Sequence, residues 1–254
     1  MRTLKFIALG CGIVLYGAIA GFARGGDVSY PATMAQIQSR LSHLGVENAK
    51  HGNVQAQFQN GVTVLTGTVE SIGVKSDVEK AIAKAAGVNS VVDKLTVDTD
   101  DATPQLIAKQ ARHAILTYPF YTIFDNIELK MEGNNLMVSG QVTQPFKKTD
   151  IGTILSHLPG VTGFQNDLEV LPNSAMDDQI RRAVARAIYR DPFFVNYGNQ
   201  ALPPIHIIVK NGNVTLDGVV DTSVARMKAE TDARFAATYF GLTNNLQLED
   251  SAQS

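Results

Sequence analysis

The residues best suited to catalysis or metal binding are scattered along this chain. No two histidines have the i, i+4 spacing that would place a pair of metal ligands on one helix face. Cys11 is the only cysteine, and neither a phosphate-binding loop nor a serine nucleophile motif is present. The sequence therefore predicts a non-enzymatic protein with no metal site and no cofactor. The histidines are His43, His51, His113, His157 and His206.

Three aspartates within four positions, Asp98, Asp100 and Asp101, are the nearest approach to a calcium site. The glycine and the distal glutamate of an EF-hand loop are missing. Carboxylates just before a helix also stabilise its positive end. We therefore expect a solvated linker and a helix start at this position.

A basic stripe is the clearest candidate binding feature. Arg182, Arg186 and Arg190 recur at i, i+4 and i+8 of a predicted helix, with Arg181 on the flank and Tyr189 beside them. Two interpretations stay open: a solvated charged face, or a surface for lipid headgroups or an acidic partner. Each basic residue near an anionic bilayer contributes about 1 kcal/mol, so three would give roughly a hundredfold enrichment.

Two aromatic loops follow equivalent predicted helices and form the second candidate. Aromatic rings favour the interface between membrane and water. The alternative is that the rings cap the small core of each module. The first loop carries Tyr118, Phe120, Tyr121 and Phe124, and the second carries Phe193, Phe194 and Tyr197.

These segments belong to an internal repeat with two independent anchors. A glycine in a hairpin motif recurs at intervals of 73 and 78 residues, and a leucine near the end of each unit recurs at the same intervals. Matching intervals indicate three copies of one module, and the period exceeds that of most solenoids. The anchors are Gly67, Gly140 and Gly218, then Leu95, Leu168 and Leu246.

Each copy shows the order helix, strand, strand, helix, strand. Alternating apolar residues around an Asn-Gly turn predict the hairpin, and apolar residues at helical spacing predict the two helices. We expect an α+β protein of three tandem αββαβ modules at 33–98, 103–172 and 175–250, each a small three-stranded mixed sheet packed on two helices. The motif glycines should admit a covering helix or mark a bulge. The last helix should run from Ser223 to about Tyr239.

Composition and the N-terminus indicate an exported protein. The 254 residues are 44% hydrophobic with a net charge of −2, which is ordinary for a globular protein and argues against nucleic-acid binding. Arg2 and Lys5 precede an apolar run over 6–20, as in a signal peptide at 1–23 cleaved after Ala20 or Ala23. An uncleaved anchor is the alternative, and a lipobox at Cys11 is one residue out of register.

The combined motif resembles that of the BON domain. The hairpin half is clearest from Asn211-Gly212 to Val220, and the second half at Pro159-Gly160-Val161 and Leu168. The BON family includes osmotically inducible periplasmic proteins and outer-membrane lipoproteins. The resemblance covers roughly 34–250 and implies a non-enzymatic envelope protein, associated with phospholipid surfaces or with protecting envelope proteins.

Three functions from different classes follow. The first is a periplasmic stress-protection protein that binds anionic phospholipid surfaces through the arginine stripe and the aromatic loops. The second is a chaperone for envelope polypeptides, whose binding would be insensitive to salt because it uses apolar surfaces or sheet edges. The third is a structural component of a larger complex. The sequence leaves the oligomeric state open.

Overall fold

The repeat folds into three copies of one arrangement, which the computed structural model describes for residues 29–47 and 51–249. The expected signal peptide at 1–23 and Cys11 lie outside the described residues.

The first module consists of α1 (Tyr30–Leu44), β1 (Gly52–Gln59), β2 (Val62–Val69), α2 (Ile72–Ala83) and β3 (Ser90–Val97). The second consists of α3 (Pro104–Leu116), β4 (Asn126–Glu132), β5 (Asn135–Val142), α4 (Pro145–Ser156) and β6 (Gly163–Val170). The third consists of α5 (Ala175–Arg190), a 3-10 turn (Pro192–Phe194), α6 (Val195–Gly198), β7 (Ile205–Lys210), β8 (Asn213–Val220), α7 (Ser223–Arg234), β9 (Gly241–Asn244) and β10 (Gln247–Leu248).

Every sheet has the second strand of its module at the centre. In the first module β1 pairs with β2 antiparallel and β3 pairs with β2 parallel, and the second module repeats this pattern. In the third module β9 and β10 both pair with β8, so an interrupted edge replaces the single expected strand. The α+β class and the three αββαβ modules are confirmed.

Local sequence explains where the helices start and which face they bury. Ser71, Thr103, Ser174 and Thr222 are N-caps whose hydroxyls accept a backbone N–H three residues on. Each helix pair then packs its apolar stripe on one sheet, giving one core per module. The cores centre on Ile37, Leu41, Leu65 and Ile82, on Ile107, Leu136, Ile151 and Leu168, and on Val184, Ile188, Leu216 and Ala229.

The motif glycines have a different role from the one expected. Gly67, Gly140 and Gly218 have φ of 115°, 113° and 124°, which side chains rarely adopt. A Cβ at Gly218 would lie 1.9 Å from the Pro204 carbonyl oxygen, and the other two would meet equivalent carbonyls at 1.9 and 2.2 Å. The close approach is therefore made by the backbone that enters the neighbouring strand, and not by a covering helix.

The last helix is shorter than expected. α7 ends at Arg234 instead of continuing to about Tyr239, and it has the same twelve residues as α2 and α4. The Phe240 N–H donates to the Gly212 carbonyl at 2.8 Å and returns the chain to the sheet. α7 therefore ends in register with α2 and α4, and residues 235–240 form an extended turn.

The first joint, between the first and second modules, is a backbone clasp. The Gly160 N–H donates to the Glu70 carbonyl at 2.8 Å, and the Ile72 N–H donates to the Val161 carbonyl at 2.9 Å. Ile72 also packs against the core of the second module. The His157 ring lies over Gly73, where a Cβ would be 2.5 Å from its Nδ1 atom.

The second joint, between the second and third modules, uses other groups. The Ile207 N–H, on the open edge of β7, donates to the Ile123 carbonyl at 2.7 Å. The His206 ring stacks on Tyr121 with the ring centres 5.5 Å apart, and its Nδ1 donates to the Asp125 carbonyl at 2.6 Å. The loop after α3 thus covers the sheet of the third module.

The residues at equivalent positions explain why the two joints differ. Pro145 stands in the second module where Ile72 stands in the first, and proline has no N–H to donate. Phe146 stands in place of Gly73, so a bulky ring fills the space that receives His157. The second module therefore cannot receive the third in the way that the first receives the second.

Candidate functional site

The arginine stripe lies on the outer face of α5. Ile180, Val184 and Ile188 bury the opposite face, and Arg182, Arg186 and Arg190 are exposed. Among the residues that the structure describes, none of these three guanidinium groups forms an ion pair or hydrogen bond. Their positive charge is therefore free to meet an anion from solution.

Arg181 does not belong to this exposed surface. It is 4% exposed, its Nη2 donates to the Val209 carbonyl at 2.6 Å, and its Nη1 is paired with Asp178. Asp177 beside it accepts the N–H groups of Asn211 and Gly212 at 3.0 and 2.8 Å. Both side chains tie α5 to the hairpin turn, which a helical spacing alone does not reveal.

A groove runs along the stripe. Met176, Arg182 and Arg186 line one side, Ala237 and Thr238 line the other, and the groove encloses about 520 Å³. The residues flanking that second side, Phe235 and Phe240, are each 81% exposed. We call the three exposed arginines of the stripe, Met176 and residues 235–240 the basic groove, although Arg190 lies beyond its lining. It combines unpaired cations with protruding apolar rings.

The aromatic loop of the third module contributes one ring to the surface. Phe193 is half exposed, but Phe194 is fully buried in the core. The Tyr189 hydroxyl donates to the Ile205 carbonyl at 2.6 Å, and burial raises the pKa of this tyrosine. Phe194 is therefore a core residue of the module, as the alternative interpretation of the loop stated, and Tyr189, expected beside the arginine stripe, packs against the same core.

The aromatic loop of the second module mostly faces inward. The Tyr118 hydroxyl donates to Asp150 at 2.7 Å, and burial raises the pKa of Tyr118. Tyr121 stacks on His206, and Phe124 packs against the core of the third module. Phe120 remains 55% exposed and meets Phe146 edge to face, with the ring centres 5.4 Å apart.

A buried carboxylate holds this loop in shape. Asp125 is fully buried and accepts the Lys147 ammonium at 2.7 Å. It also accepts the N–H and hydroxyl groups of Thr122 and Thr143, at 2.8 to 3.0 Å. Its oxygens are therefore saturated, and the loop residues that make the second joint are fixed by it.

A polar cleft of about 700 Å³ lies beside the second joint. Glu128 of the second module and Asp217 of the third line it together with Asn126, Asn244 and Arg226. Burial raises the pKa of Asp217, and the nearby Glu128 charge acts in the same direction. In residues 29–47 and 51–249, no three His, Cys, Asp or Glu side chains come together where they could hold a metal ion.

The model of the BON domain matches this chain at residues 34–99 and 176–249, together just over half of its length. The chain belongs to the BON domain family. BON domains are associated with phospholipid binding, occur typically in periplasmic and envelope proteins, and are in general non-catalytic. The match covers the first and third modules. The second module has the same topology but lacks the Asn-Gly hairpin turn of the other two.

Other comparisons add little to this assignment. No curated protein matches the sequence of the chain. Two solved structures of CdsD, a structural protein of the type III secretion system of Chlamydia trachomatis, share 15% and 16% identity with it. They cover 87% of this chain and 99% and 95% of theirs, with a TM-score of 0.24 in both cases. At this TM-score the likeness says nothing about the function of the BON protein.

Sequence analysis missed the apolar half of the basic groove. Met176, Phe235 and Phe240 were not singled out because α7 was expected to continue to about Tyr239, which would have placed Phe235 inside a helix. The available signal was Thr238-Tyr239, which replaces the Gly-Val pair of the other two modules. Within the described residues, no helix is both long and apolar enough to cross a membrane.

Proposed function

We propose that this BON protein is an exported envelope protein whose third module binds anionic phospholipid surfaces through the basic groove. As part of this proposal, the chain has a signal peptide at 1–23 and modules at 33–98, 103–172 and 175–250. The observation that carries it is the groove between the exposed arginines of α5 and the segment 235–240, whose two phenylalanines are each 81% exposed. Stress protection at the periplasmic membrane is the role in which such a surface would act.

Neither half of the groove would bind a membrane firmly alone. Three arginines near an anionic bilayer contribute about 3 kcal/mol, and this attraction is screened by salt. Burying the exposed part of a phenylalanine in the interface adds about 1–2 kcal/mol per ring. Arg182 and Arg186 together with Phe235 and Phe240 therefore give reversible binding that needs both charge and apolar contact.

The test is co-sedimentation of the protein with vesicles of phosphatidylglycerol and phosphatidylcholine, against phosphatidylcholine alone, at low and high salt. Arg182→Glu with Arg186→Glu and Arg190→Glu should abolish binding to the anionic vesicles. Phe235→Ser with Phe240→Ser should weaken binding at every salt concentration. No binding of the unaltered protein to anionic vesicles would refute the proposal.

A matched control removes net charge as an explanation. Lys94, Lys109 and Arg112 are exposed and form no ion pair in the described part of the chain. Reversing these three to glutamate takes the net charge from −2 to −8, as the arginine variant does, because each reversal changes it by two. Equal loss of binding in both variants would place the effect in overall charge and not in the basic groove.

A second candidate function is binding of envelope polypeptides, as a chaperone would. The observation that favours it is an exposed apolar pair on the second module, Phe120 and Phe146, with the exposed Leu116 at the end of α3. Binding there would persist at high salt because it does not depend on charge. The unaltered protein should then suppress the aggregation of an unfolded envelope protein. Phe120→Ser with Phe146→Ser should weaken this suppression and leave vesicle binding unchanged.

A further inference from the structure

The first joint provides a template for contacts between copies of this chain. On the first module it uses the Glu70 carbonyl, the Ile72 N–H and the space at Gly73. On the second module it uses a turn in which Gly160 has φ of 83°, followed by the Val161 carbonyl. Because the modules repeat, each half of this joint has a counterpart at fixed positions elsewhere.

The third module keeps the receiving half, uncovered. Asp221, Ser223 and Val224 occupy the positions of Glu70, Ile72 and Gly73 and are all exposed. Ser223 is the first residue of α7, so its N–H has no acceptor within the helix.

Two exposed apolar side chains lie among these polar groups. Val224 is 54% exposed, and Met227, at the position of Ser76 in the groove of the first joint, is 60% exposed. Lys228 replaces Asp77, and its ammonium is already paired with Asp191 and Asp232. The receiving half on the third module therefore has exposed apolar side chains where the first has Gly73 and Ser76, and it lacks the apolar side chain of Ile72, which Ser223 replaces.

The first module keeps the inserting half, also uncovered. Gly87 and Val88 occupy the positions of Gly160 and Val161, and Gly87 has φ of 87°, so the turn has the same shape. Gly160 is buried beside Ala102 and Ile107, and Val161 is buried in the core of the second module, whereas Gly87 is exposed and Val88 is half exposed. Lys84 replaces His157, and a flexible side chain can move aside for Val224 where an imidazole ring would not.

We propose that the third module of one copy receives the first module of a second copy, through Asp221–Met227 on one chain and Lys84–Val88 on the other. Both unused halves of the joint are thus found at opposite ends of the array. The second module shows that this geometry fails where a residue forbids it, since Pro145 and Phe146 block the equivalent site. The third module has Ser223 and Val224 at these two positions, and so has neither the proline nor the phenylalanine.

This contact is head-to-tail, so it joins different surfaces and builds rings or filaments instead of closing a two-fold dimer. It is weaker than the first joint because the two modules of the first joint share one chain, which raises their effective concentration. A covalent trap is therefore a better probe than a separation method. The proposal is independent of vesicle binding.

The trap uses the close approach of positions 73 and 157. A Cβ at Gly73 would lie 2.8 Å from His157 Cγ, so the two Cβ atoms are within about 4.3 Å, a separation that disulfides span. The equivalent pair between copies is Val224 and Lys84. All variants carry Cys11→Ser, which leaves the chain without any other thiol.

Val224→Cys protein is mixed with Lys84→Cys protein under mild copper-phenanthroline oxidation. The expected result is a mixed disulfide, identified by peptide mass spectrometry, that exceeds either homodisulfide and is lost when Met227→Glu is added. Gly73→Cys with His157→Cys in one chain is the positive control, and Leu116→Cys mixed with Lys84→Cys is the negative control.

Each other outcome overturns the proposal. A predominant Val224→Cys homodisulfide would mean a two-fold contact between identical surfaces. No disulfide between copies, with the control pair in one chain fully oxidised, would mean that these ends do not meet. If a label attached at Val224→Cys becomes shielded from water only when vesicles are added, this surface belongs to the membrane contact instead.

Discussion

Replacing Gly73 by alanine tests whether the first joint is held as the geometry indicates. Gly73 is the second residue of α2 and has ordinary helical φ, so alanine is compatible with the backbone there. In an isolated first module the substitution should stabilise α2 by up to about 1 kcal/mol. In the joined protein the new methyl group would lie 2.5 Å from His157 Nδ1.

The cost at the joint follows from what holds His157 in place. Its Nδ1 donates to the Thr153 carbonyl at 2.7 Å, and its Nε2 contacts the Asp77 carboxylate at 3.0 Å. The ring must move by about 1 Å to restore ordinary contact, which breaks both interactions at about 1 kcal/mol each. We therefore expect a joint weakened by about 1–2 kcal/mol, whereas α2 itself becomes more stable.

Amide hydrogen exchange separates these two effects. The N–H groups of Ile72 and Gly160 bridge the modules, so they should exchange roughly 5- to 30-fold faster in Gly73→Ala. Amides in the middle of α2 should exchange more slowly. Gly198→Ala is the control for a glycine change elsewhere, since Gly198 has no positive φ and a Cβ there would meet its nearest atom, Tyr189 Cδ1, at an ordinary 3.6 Å.

Two results would refute this account. Unchanged exchange at Ile72 and Gly160 in Gly73→Ala would mean that the ring does not hold the joint. The double variant Gly73→Ala with His157→Ala should exchange at the rate of His157→Ala alone, because the clash needs both side chains. Simple addition of the two effects would contradict a direct contact.

Three further predictions concern the second joint and the hairpin of the third module. Asp125→Ala leaves the Lys147 ammonium buried without its carboxylate and should cost about 3–5 kcal/mol in urea unfolding of the second module. Adding Lys147→Met should recover part of that loss, and a cost below 1 kcal/mol for Asp125→Ala would contradict the buried pair. Asp177→Ala removes the acceptor of two turn amides and should cost about 2–4 kcal/mol in thermal unfolding. Asp177→Asn should have an intermediate cost. An unchanged melting temperature in Asp177→Ala would refute the prediction. Burial lowers the pKa of His206 from its ordinary 6.5, so the folded protein favours the neutral ring; the second joint should be stable above this pH and weaken as the pH falls below it. Hydrogen exchange of the amides across the second joint measures this pH dependence, and His206→Gln should make the exchange rate nearly independent of pH. Burial raises the pKa of Asp217, so protonation of Asp217 stabilises the folded protein at lower pH and opposes the effect of His206.

The modules could be predicted from sequence because their determinants are local and repeated. Gly67, Gly140 and Gly218 occupy one position of one hairpin, and the leucines that follow occupy one position of the last strand. Such positions recur in register whatever surrounds the module. The repeat therefore gave the element order and the helix faces, although the role of the glycines was misjudged.

The candidate site was only partly predictable because its environment comes from distant residues. Arg181 has the same sequence signal as Arg182, but the Val209 carbonyl, 28 residues on, decides that it is buried. Phe194 and Phe193 are adjacent and aromatic, yet only Phe193 reaches solvent. Tyr121 and Phe124 lie in the second joint because their loop contacts the open edge of β7. No periodicity in the loop sequence predicts that contact.

The residues of the joints also determine the order in which the modules can assemble during folding. The first joint is made by the Gly160-Val161 turn, and Thr238-Tyr239 stands at the equivalent positions of the third module. If the chain is exported N-terminus first, as proposed above, its first two modules can pair before the third appears. Mispairing of similar modules is a common failure of multidomain proteins. Here Gly73 on the receiving side and Thr238-Tyr239 on the inserting side oppose it.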